Sequence, residues 1–291
     1  VERTITLPAN KGNCHTTTYK PVVGEFWYFD KTMSEFQFEI DGKIYNGKGN
    51  WEFKKIESIN DSKQGDGAAV SLVSSDQKFE LSLQYLLYPN LPVIRKRLAI
   101  KNISKTTLQL ASVDIEKFEV VEYWPTTYSW IFHDYGRRRS IGPYDGNMQD
   151  ALINIYDHNW QQGIIIGNEA AGVIKHTSVY WQEQGISAGL THKDARFPFK
   201  KYIKPGEVFT TPQVFTMVYN NQKNPDALLN TAVPDFVRKH MGIRLSELKQ
   251  KPTFVYNTWV PFDRNINEKL VMELAKAAAD AGMKEFIIDD G

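Results

Sequence analysis

Up to about Asn220 the chain keeps a period of two, and after Pro252 it does not. That switch limits the fold more than any other feature. A period of two buries one face of a strand, whereas a period near 3.6 buries one stripe of a helix. Glu35-Phe36-Gln37-Phe38-Glu39-Ile40 alternates polar and apolar residues. Asp41-Gly42 follows and Lys43-Ile44-Tyr45 can return, which predicts a hairpin. Further strands are expected over residues 69–73, 79–88, 93–103, 108–121, 163–166, 172–176 and 208–219. Turn-forming residues separate them, as in Asn60-Asp61-Ser62-Lys63-Gln64-Gly65-Asp66-Gly67. Many strands with no helix between them imply antiparallel sheets packed face to face. The run is too long for a small sandwich, so residues 1–222 are expected to form one large antiparallel β-supersandwich.

Residues 223–251 read as a helical linker. Leu228, Leu229, Ala232, Phe236 and Val237 supply its apolar face, with a break expected at Pro234. Within residues 252–291, Phe254-Val255-Tyr256 reads as a buried strand. Asn265 is expected to begin a helix, with Glu268 three residues on as its capping-box partner. Leu270, Leu274, Ala277, Ala278 and Ala281 give the expected inner face, and Gly282 sits where a C′ glycine belongs. Phe286-Ile287-Ile288 is a second short apolar run, expected to be a buried strand. Strand, helix and strand in this order predict a βαβ unit with parallel strands and a right-handed crossover. One such unit cannot cover its own sheet faces. The sequence is therefore expected to be the front part of a longer protein.

Charge excludes some functions. Lys plus Arg is 35 and Asp plus Glu is 34, giving a net charge of +1. A dedicated nucleic-acid binder would need a basic surplus, so no nucleic-acid partner is expected. No stretch approaches the roughly 20 apolar residues of a membrane-spanning helix, so no membrane partner is expected either. Residues 1–18 lack the basic-then-apolar pattern of a signal peptide, a pattern that processing also removes, so the compartment stays open. Cys14 is the only cysteine, which rules out an intrachain disulfide and a cysteine-based zinc site. The six histidines, His15, His133, His158, His176, His192 and His240, show no metal-ligand spacing, so neither a metal site nor a cofactor is expected.

Chemistry concentrates where the two late strands end. Asp289-Asp290-Gly291 follows the second strand, and Asn257-Thr258-Trp259 holds the equivalent place after the first. In parallel α/β architectures ligands sit at the carboxyl ends of strands. Carboxylates accept hydroxyl hydrogens and an indole stacks on a pyranose, so this rim suits a polyhydroxylated ligand. The bland alternative makes Asp290-Gly291 a turn and Asp289 the cap of a following helix.

Two stretches carry a family resemblance. Pro252-Thr253-Phe254-Val255-Tyr256-Asn257-Thr258-Trp259 and Lys284-Glu285-Phe286-Ile287-Ile288-Asp289-Asp290-Gly291 resemble the first two barrel strands of the melibiase-type α-galactosidases, glycoside hydrolase family 36. Lys201-Tyr202-Ile203-Lys204-Pro205-Gly206-Glu207-Val208-Phe209-Thr210-Thr211-Pro212 resembles the family's stretch before the linker. The resemblance implies a β-supersandwich, a helical linker and then the start of a (β/α)8 catalytic barrel, here residues 252–291. It implies that Asp289 and Asp290 bind galactose hydroxyls and that Trp259 lines the sugar pocket. Val260-Pro261 stands where the family commonly pairs tryptophan with glutamate. The family's nucleophile and acid/base are aspartates on later strands, expected after Gly291, so no catalytic residue is assigned within residues 1–291. An α-galactoside oligosaccharide is the implied substrate, cleaved with retention.

Other features read blandly. Arg137-Arg138-Arg139 is expected in a solvated loop, and Trp124, Trp130, Trp160 and Trp181 in packing rather than in a sugar platform. Gly47-Lys48-Gly49 lacks the third glycine of a dinucleotide fingerprint. Asn60-Asp61-Ser62 and Asn102-Ile103-Ser104 match glycosylation sequons by pattern. Three functions remain: the front part of a retaining α-galactosidase-like hydrolase, a non-catalytic carbohydrate-binding or scaffolding sandwich, and a galactosyl transferase of the raffinose-synthase kind. The first is preferred, and the sequence leaves room for a homo-oligomer.

Overall fold

The structure is a computed structural model of the chain. It describes residues 1–21, 27–28, 34–61, 65–119, 127–133, 136–139, 146–148, 151–157, 161–180, 185–224, 226–241 and 254–290. The chain divides into two compact units, Val1–Phe236 and Val237–Gly291.

The first unit is a β-sandwich. Among the described residues, eleven strands form one antiparallel sheet and seven another, with three more in a small third sheet. The larger sheet is built around the meander Trp51–Asp61, Gly65–Val73, Phe79–Leu87 and Ile94–Asn102. Val214–Tyr219 then joins it to Gln162–Asn168 and Leu152–Asp157. The second sheet is centred on Leu108–Glu119, with Glu35–Ile40 on one side and Gly185–Leu190 on the other. Alternation along the strands decides which residues meet between the sheets. Phe79, Leu81, Leu83 and Tyr85 turn inward from one strand, and Phe36, Phe38 and Ile40 from another. Phe36, Phe38, Tyr45, Trp51 and Phe79 pack as one aromatic group, with ring centroids 4.9–6.4 Å apart.

The expected hairpin forms with Ile40 opposite Lys43. Asp41 and Gly42 both take positive φ (51° and 81°), as the tight primed turn requires. Several expectations need correction. Residues 172–176 are not one strand, because Gly172–Ile174 is a 3₁₀ turn that opens on a left-handed glycine (φ 54°) and the strand begins at Lys175. Residues 208–219 form two strands, Val208–Thr210 and Val214–Tyr219, broken where Pro212 lacks a ladder donor. The Thr211 hydroxyl fills the gap by accepting from the Leu98 amide at 3.0 Å. Arg137–Arg139 lie in the strand Gly136–Arg139 rather than in a loop. Asn102 is fully buried and donates to the Thr106 and Ile203 carbonyls, so its amide is unavailable to a glycan. Trp124, Trp160 and Trp181 lie outside the described residues, and only the backbone of Trp130 is described.

The helical segment breaks at Thr231, not at Pro234. Ala227–Asn230 and Ala232–Phe236 are separate short helices, and Thr231 leaves helical geometry (φ −126°, ψ −82°). Pro234 falls in the first turn of the second helix, where its missing N–H has no partner to lose. Phe236 is buried against Phe215 and Tyr88, which packs these helices onto the sandwich. Residues 242–253 lie outside the described residues.

One polar cluster sits inside the sandwich. Arg3, Glu35, Lys96 and Glu116 are two cations and two anions whose side chains are 0–2% exposed. Arg3 donates to Glu116 Oε1 and to Glu35 Oε1, both at 2.7 Å. Lys96 Nζ donates to Glu35 Oε1 (2.9 Å), to Glu116 Oε2 (3.1 Å) and to the Glu35 carbonyl (2.7 Å). The Tyr85 hydroxyl and the Thr16 amide and hydroxyl complete the Glu35 carboxylate. Burial alone would raise the Glu35 carboxyl's pKa. Arg3 and then Lys96 outweigh that effect and hold it well below the usual carboxylate range.

This cluster predicts acid sensitivity with a definite sign. The unfolded glutamate takes up a proton near pH 4.3, while the folded one stays ionised to lower pH. Stability is therefore complete above that range and falls as pH drops through it. Urea unfolding between about pH 6 and about pH 3 is expected to show this slope. Glu35→Gln should flatten it and cost about 3–5 kcal/mol near neutrality, because it leaves a buried cation uncompensated.

Candidate functional site

The second unit contains the predicted βαβ arrangement. Val255–Asn257 and Glu285–Ile287 pair in parallel, with Tyr256 opposite Phe286 and Asn257 opposite Ile287. The helix between them is Glu268–Asp280, capped two residues later than the expected Asn265. Asn267 is its N-cap, and the Asn267 side chain accepts from the Leu270 amide at 3.0 Å. Gly282 ends the helix at φ 81°, with the Gly282 amide on the Ala279 carbonyl and the Met283 amide on the Ala278 carbonyl. The inner face is Leu270, Val271, Leu274, Ala275 and Ala278, whereas Ala277 and Ala281 are exposed. The strands are not buried as expected: Phe254 is 71% exposed, Ile287 42% and Ile288 58%. A two-stranded sheet with one helix has a face left to solvent.

The carboxyl ends of both strands meet in one hydrogen-bonded group. Asn257 Nδ2 donates to Asp289 Oδ2 at 2.8 Å, and Asn257 Oδ1 accepts from the Trp259 amide at 2.7 Å. The Asn257 amide thus joins the carboxylate of one strand end to the backbone of the other. Thr258 is fully buried, and its hydroxyl accepts from the Asp289 amide at 3.1 Å. Asp289 Oδ1 accepts from the Asp290 amide at 2.8 Å. Asp290 accepts from Arg264 Nη2 at 3.0 Å. The two carboxylates therefore have different partners. Trp259 opens the short helix Trp259–Phe262 and is 38% exposed. Gly291 lies outside the described residues.

The Asn257 hydrogen bond, followed by the Asp290 amide, holds the Asp289 carboxyl below its ordinary value. At neutral pH it is an acceptor. Asp290 adds a second exposed acceptor, and Trp259 an apolar ring within the same strand-end segment. Carboxylate acceptors and an indole ring are groups able to engage a hydroxylated ligand. Arg264 and Thr258 were not singled out from sequence. Arg264 lies in an irregular loop where no periodicity marks it, and Thr258 stands in the strand-end segment Asn257-Thr258-Trp259 with no role of its own assigned from sequence.

A second cluster lies in the sandwich unit. Among the described residues, Asp114, His176 and His192 bring one carboxylate and two imidazoles together, with ligand atoms within 4.8 Å of one another. The sequence conceals it because 62 and 78 positions separate Asp114 from the two histidines, and only strand pairing closes those distances.

No family model matches the chain. The chain is 22% identical over 280 residues to the curated α-galactosidase AgaA of Geobacillus stearothermophilus, covering 89% of this chain and 37% of that protein. An α-galactosidase structure from Lactobacillus brevis aligns over 99% of this chain and 47% of its own, with a TM-score of 0.68 and 14% identity. A family 36 AgaA variant crystallised with raffinose aligns over 93% of this chain and 41% of its own, with a TM-score of 0.59 and 16% identity. The likeness to these structures is one of fold. The chain shares the sandwich fold of these structures. More narrowly, it is similar to the N-terminal region of glycoside hydrolase family 36 α-galactosidases. The chain spans about a third of the length of the curated relative.

The geometry predicts how Asp289 titrates. Asn257→Ala removes its main stabilising donor, so the Asp289 carboxyl pKa should move up toward its ordinary value in a ¹³C NMR titration. An unchanged midpoint would separate Asn257 from the carboxylate.

Proposed function

We propose that this chain is the front part of a retaining glycoside hydrolase that removes terminal α-linked galactose from oligosaccharides. Residues 1–222 are the β-supersandwich, 223–251 the helical linker, and 252–291 the first βαβ unit of a (β/α)8 catalytic barrel. Asp289, Asp290 and Trp259 bind the galactose. The observation that carries this reading is the joined strand-end group of Asn257, Thr258, Asp289 and Asp290 at the carboxyl ends of a parallel pair. Curated relatives that are α-galactosidases support the choice of sugar.

In this reading the two aspartates grip hydroxyls and do not perform the displacement. Retaining hydrolysis needs a nucleophile and an acid/base on opposite sides of one bond, about 5–5.5 Å apart. Asp289 and Asp290 are neighbours in sequence with separate partners, Asn257 and Arg264. That arrangement suits two adjacent hydroxyls. Arg264 neutralises Asp290 in the absence of sugar through an exposed pair that costs little to part.

The test compares residues 1–291 with the chain continued through a complete barrel. Nitrophenol release from a nitrophenyl α-galactoside is expected only from the longer protein. In that protein Asp290→Asn should lower kcat/KM roughly 10- to 100-fold, since a hydrogen bond to a charged acceptor contributes about 1.5–3 kcal/mol. Turnover by residues 1–291 within tenfold of the longer protein, or normal kinetics for Asp290→Asn, overturns the reading. Transfer of galactose to a sugar acceptor in place of water would redirect it to a transferase.

A further inference from the structure

We propose that Asp114, His176 and His192 form a binding site for a divalent transition-metal ion of the zinc class, within the sandwich and independent of the galactoside reading. Strand pairing builds the site. Asp114 on Leu108–Glu119 pairs with Gly189, and His176 on Lys175–Tyr180 pairs with the same glycine from the other side. Directly paired residues project from the same sheet face. The middle position has no side chain, and a Cβ there would lie 2.1 Å from the Val113 carbonyl oxygen. The Asp114 and His176 side chains therefore lean toward each other over Gly189. His192, just beyond the end of Gly185–Leu190, closes the group from the solvent side, with its side chain 25% exposed.

The spacing suits a metal. His192 Nε2 is 2.8 Å from Asp114 Oδ1, and His176 Nε2 is 3.8 Å from the same oxygen. A tetrahedral zinc site with bonds of about 2.0–2.1 Å has ligand atoms about 3.3 Å apart, between those two values. The imidazole rings are stacked, with centroids 4.0 Å apart and planes 23° apart, so binding requires the rings to turn until both Nε2 atoms converge. One feature points to a ligand rather than a closed polar contact. Asp114 is fully buried, yet its Oδ2 has no hydrogen-bond partner among the described residues, and the Lys117 ammonium stands 3.9 Å away. The Ser178 and Ser187 hydroxyls share hydrogen bonds with His176 Nε2 at 3.0 and 3.3 Å, contacts that a metal ion on that nitrogen would replace. Two imidazoles and one carboxylate favour zinc, cobalt or nickel over calcium or magnesium, which prefer all-oxygen sites. Three protein ligands leave a fourth position for water on the His192 side.

The test uses the 291-residue chain after chelator treatment. Calorimetric titration with Zn²⁺ is expected to give one site, and Co²⁺ the visible absorption of a tetrahedral complex. His192→Gln keeps a hydrogen-bonding side chain for Asp114 but removes the imidazole. It should leave the melting temperature of the metal-free protein nearly unchanged and weaken Zn²⁺ binding by more than about 100-fold. Loss of an outer-shell partner alone costs about 10–100-fold. His192→Cys, which restores a zinc ligand, should recover binding. Absence of uptake by the wild-type chain, or equal uptake by wild type and His192→Gln, overturns the proposal and leaves the three residues a proton-sharing contact.

Discussion

Two buried carboxylates and two buried cations have to be paired with one another inside the closed sandwich. Arg3 comes from the small sheet, Glu35 and Glu116 from the seven-stranded sheet, and Lys96 from the eleven-stranded one. A lone charge in that interior would cost several kcal/mol, so any packing that separates one member from the others is penalised. The cluster therefore specifies how the three sheets register against one another more than it adds net stability. Its aromatic surroundings reinforce this. Arg3 lies 5.0–5.5 Å from the ring centroids of Tyr19, Tyr85 and Phe118. Two of those rings sit opposite the cations in the strand ladders, Tyr19 across from Arg3 and Tyr85 across from Lys96. Glu35 takes a left-handed backbone (φ 58°), an uncommon conformation for a residue with a side chain, and its own carbonyl accepts from Lys96.

The two units rest on different physics. In the sandwich unit, apolar rows from both sheets pack around a compensated ionic centre. In the second unit, local signals suffice for the secondary structure: an asparagine cap, a glycine stop and two short parallel strands. Its strand residues Phe254, Ile287 and Ile288 keep much of their surface in solvent. The strand-end group depends on hydrogen bonds rather than on packing, and Asn257 is its hinge, since both ends of that amide are used.

The same device recurs at both candidate sites. A residue without an obstructing side chain, or with a short polar one, lets two strands present functional groups to each other. At the strand ends this role falls to Thr258, whose hydroxyl holds the Asp289 backbone. In the sandwich it falls to Gly189, which clears the space over which Asp114 and His176 lean.

The mainly β character, the antiparallel pairing, the Asp41-Gly42 hairpin and the late strand–helix–strand order could all be read from the amino acids, because each depends on near neighbours and on periodicity. The Asn257 and Asp289 strand ends were readable for the same reason, since parallel strands joined by one helix end on the same side. Boundaries were less legible. Thr231 rather than Pro234 breaks the helix, and Asn267 rather than Asn265 caps the next one, because caps are chosen by backbone geometry among several suitable residues. Lys96 shares its inward face with Ile94, Leu98 and Ile100. Alternation alone puts it in the core, but nothing nearby in sequence reveals the carboxylates that make this tolerable. Arg3 with Glu116, and Asp114 with His192, meet across separations of 113 and 78 residues. Contacts of that range belong to the tertiary structure, because only sheet pairing and register bring such distant side chains within hydrogen-bonding reach.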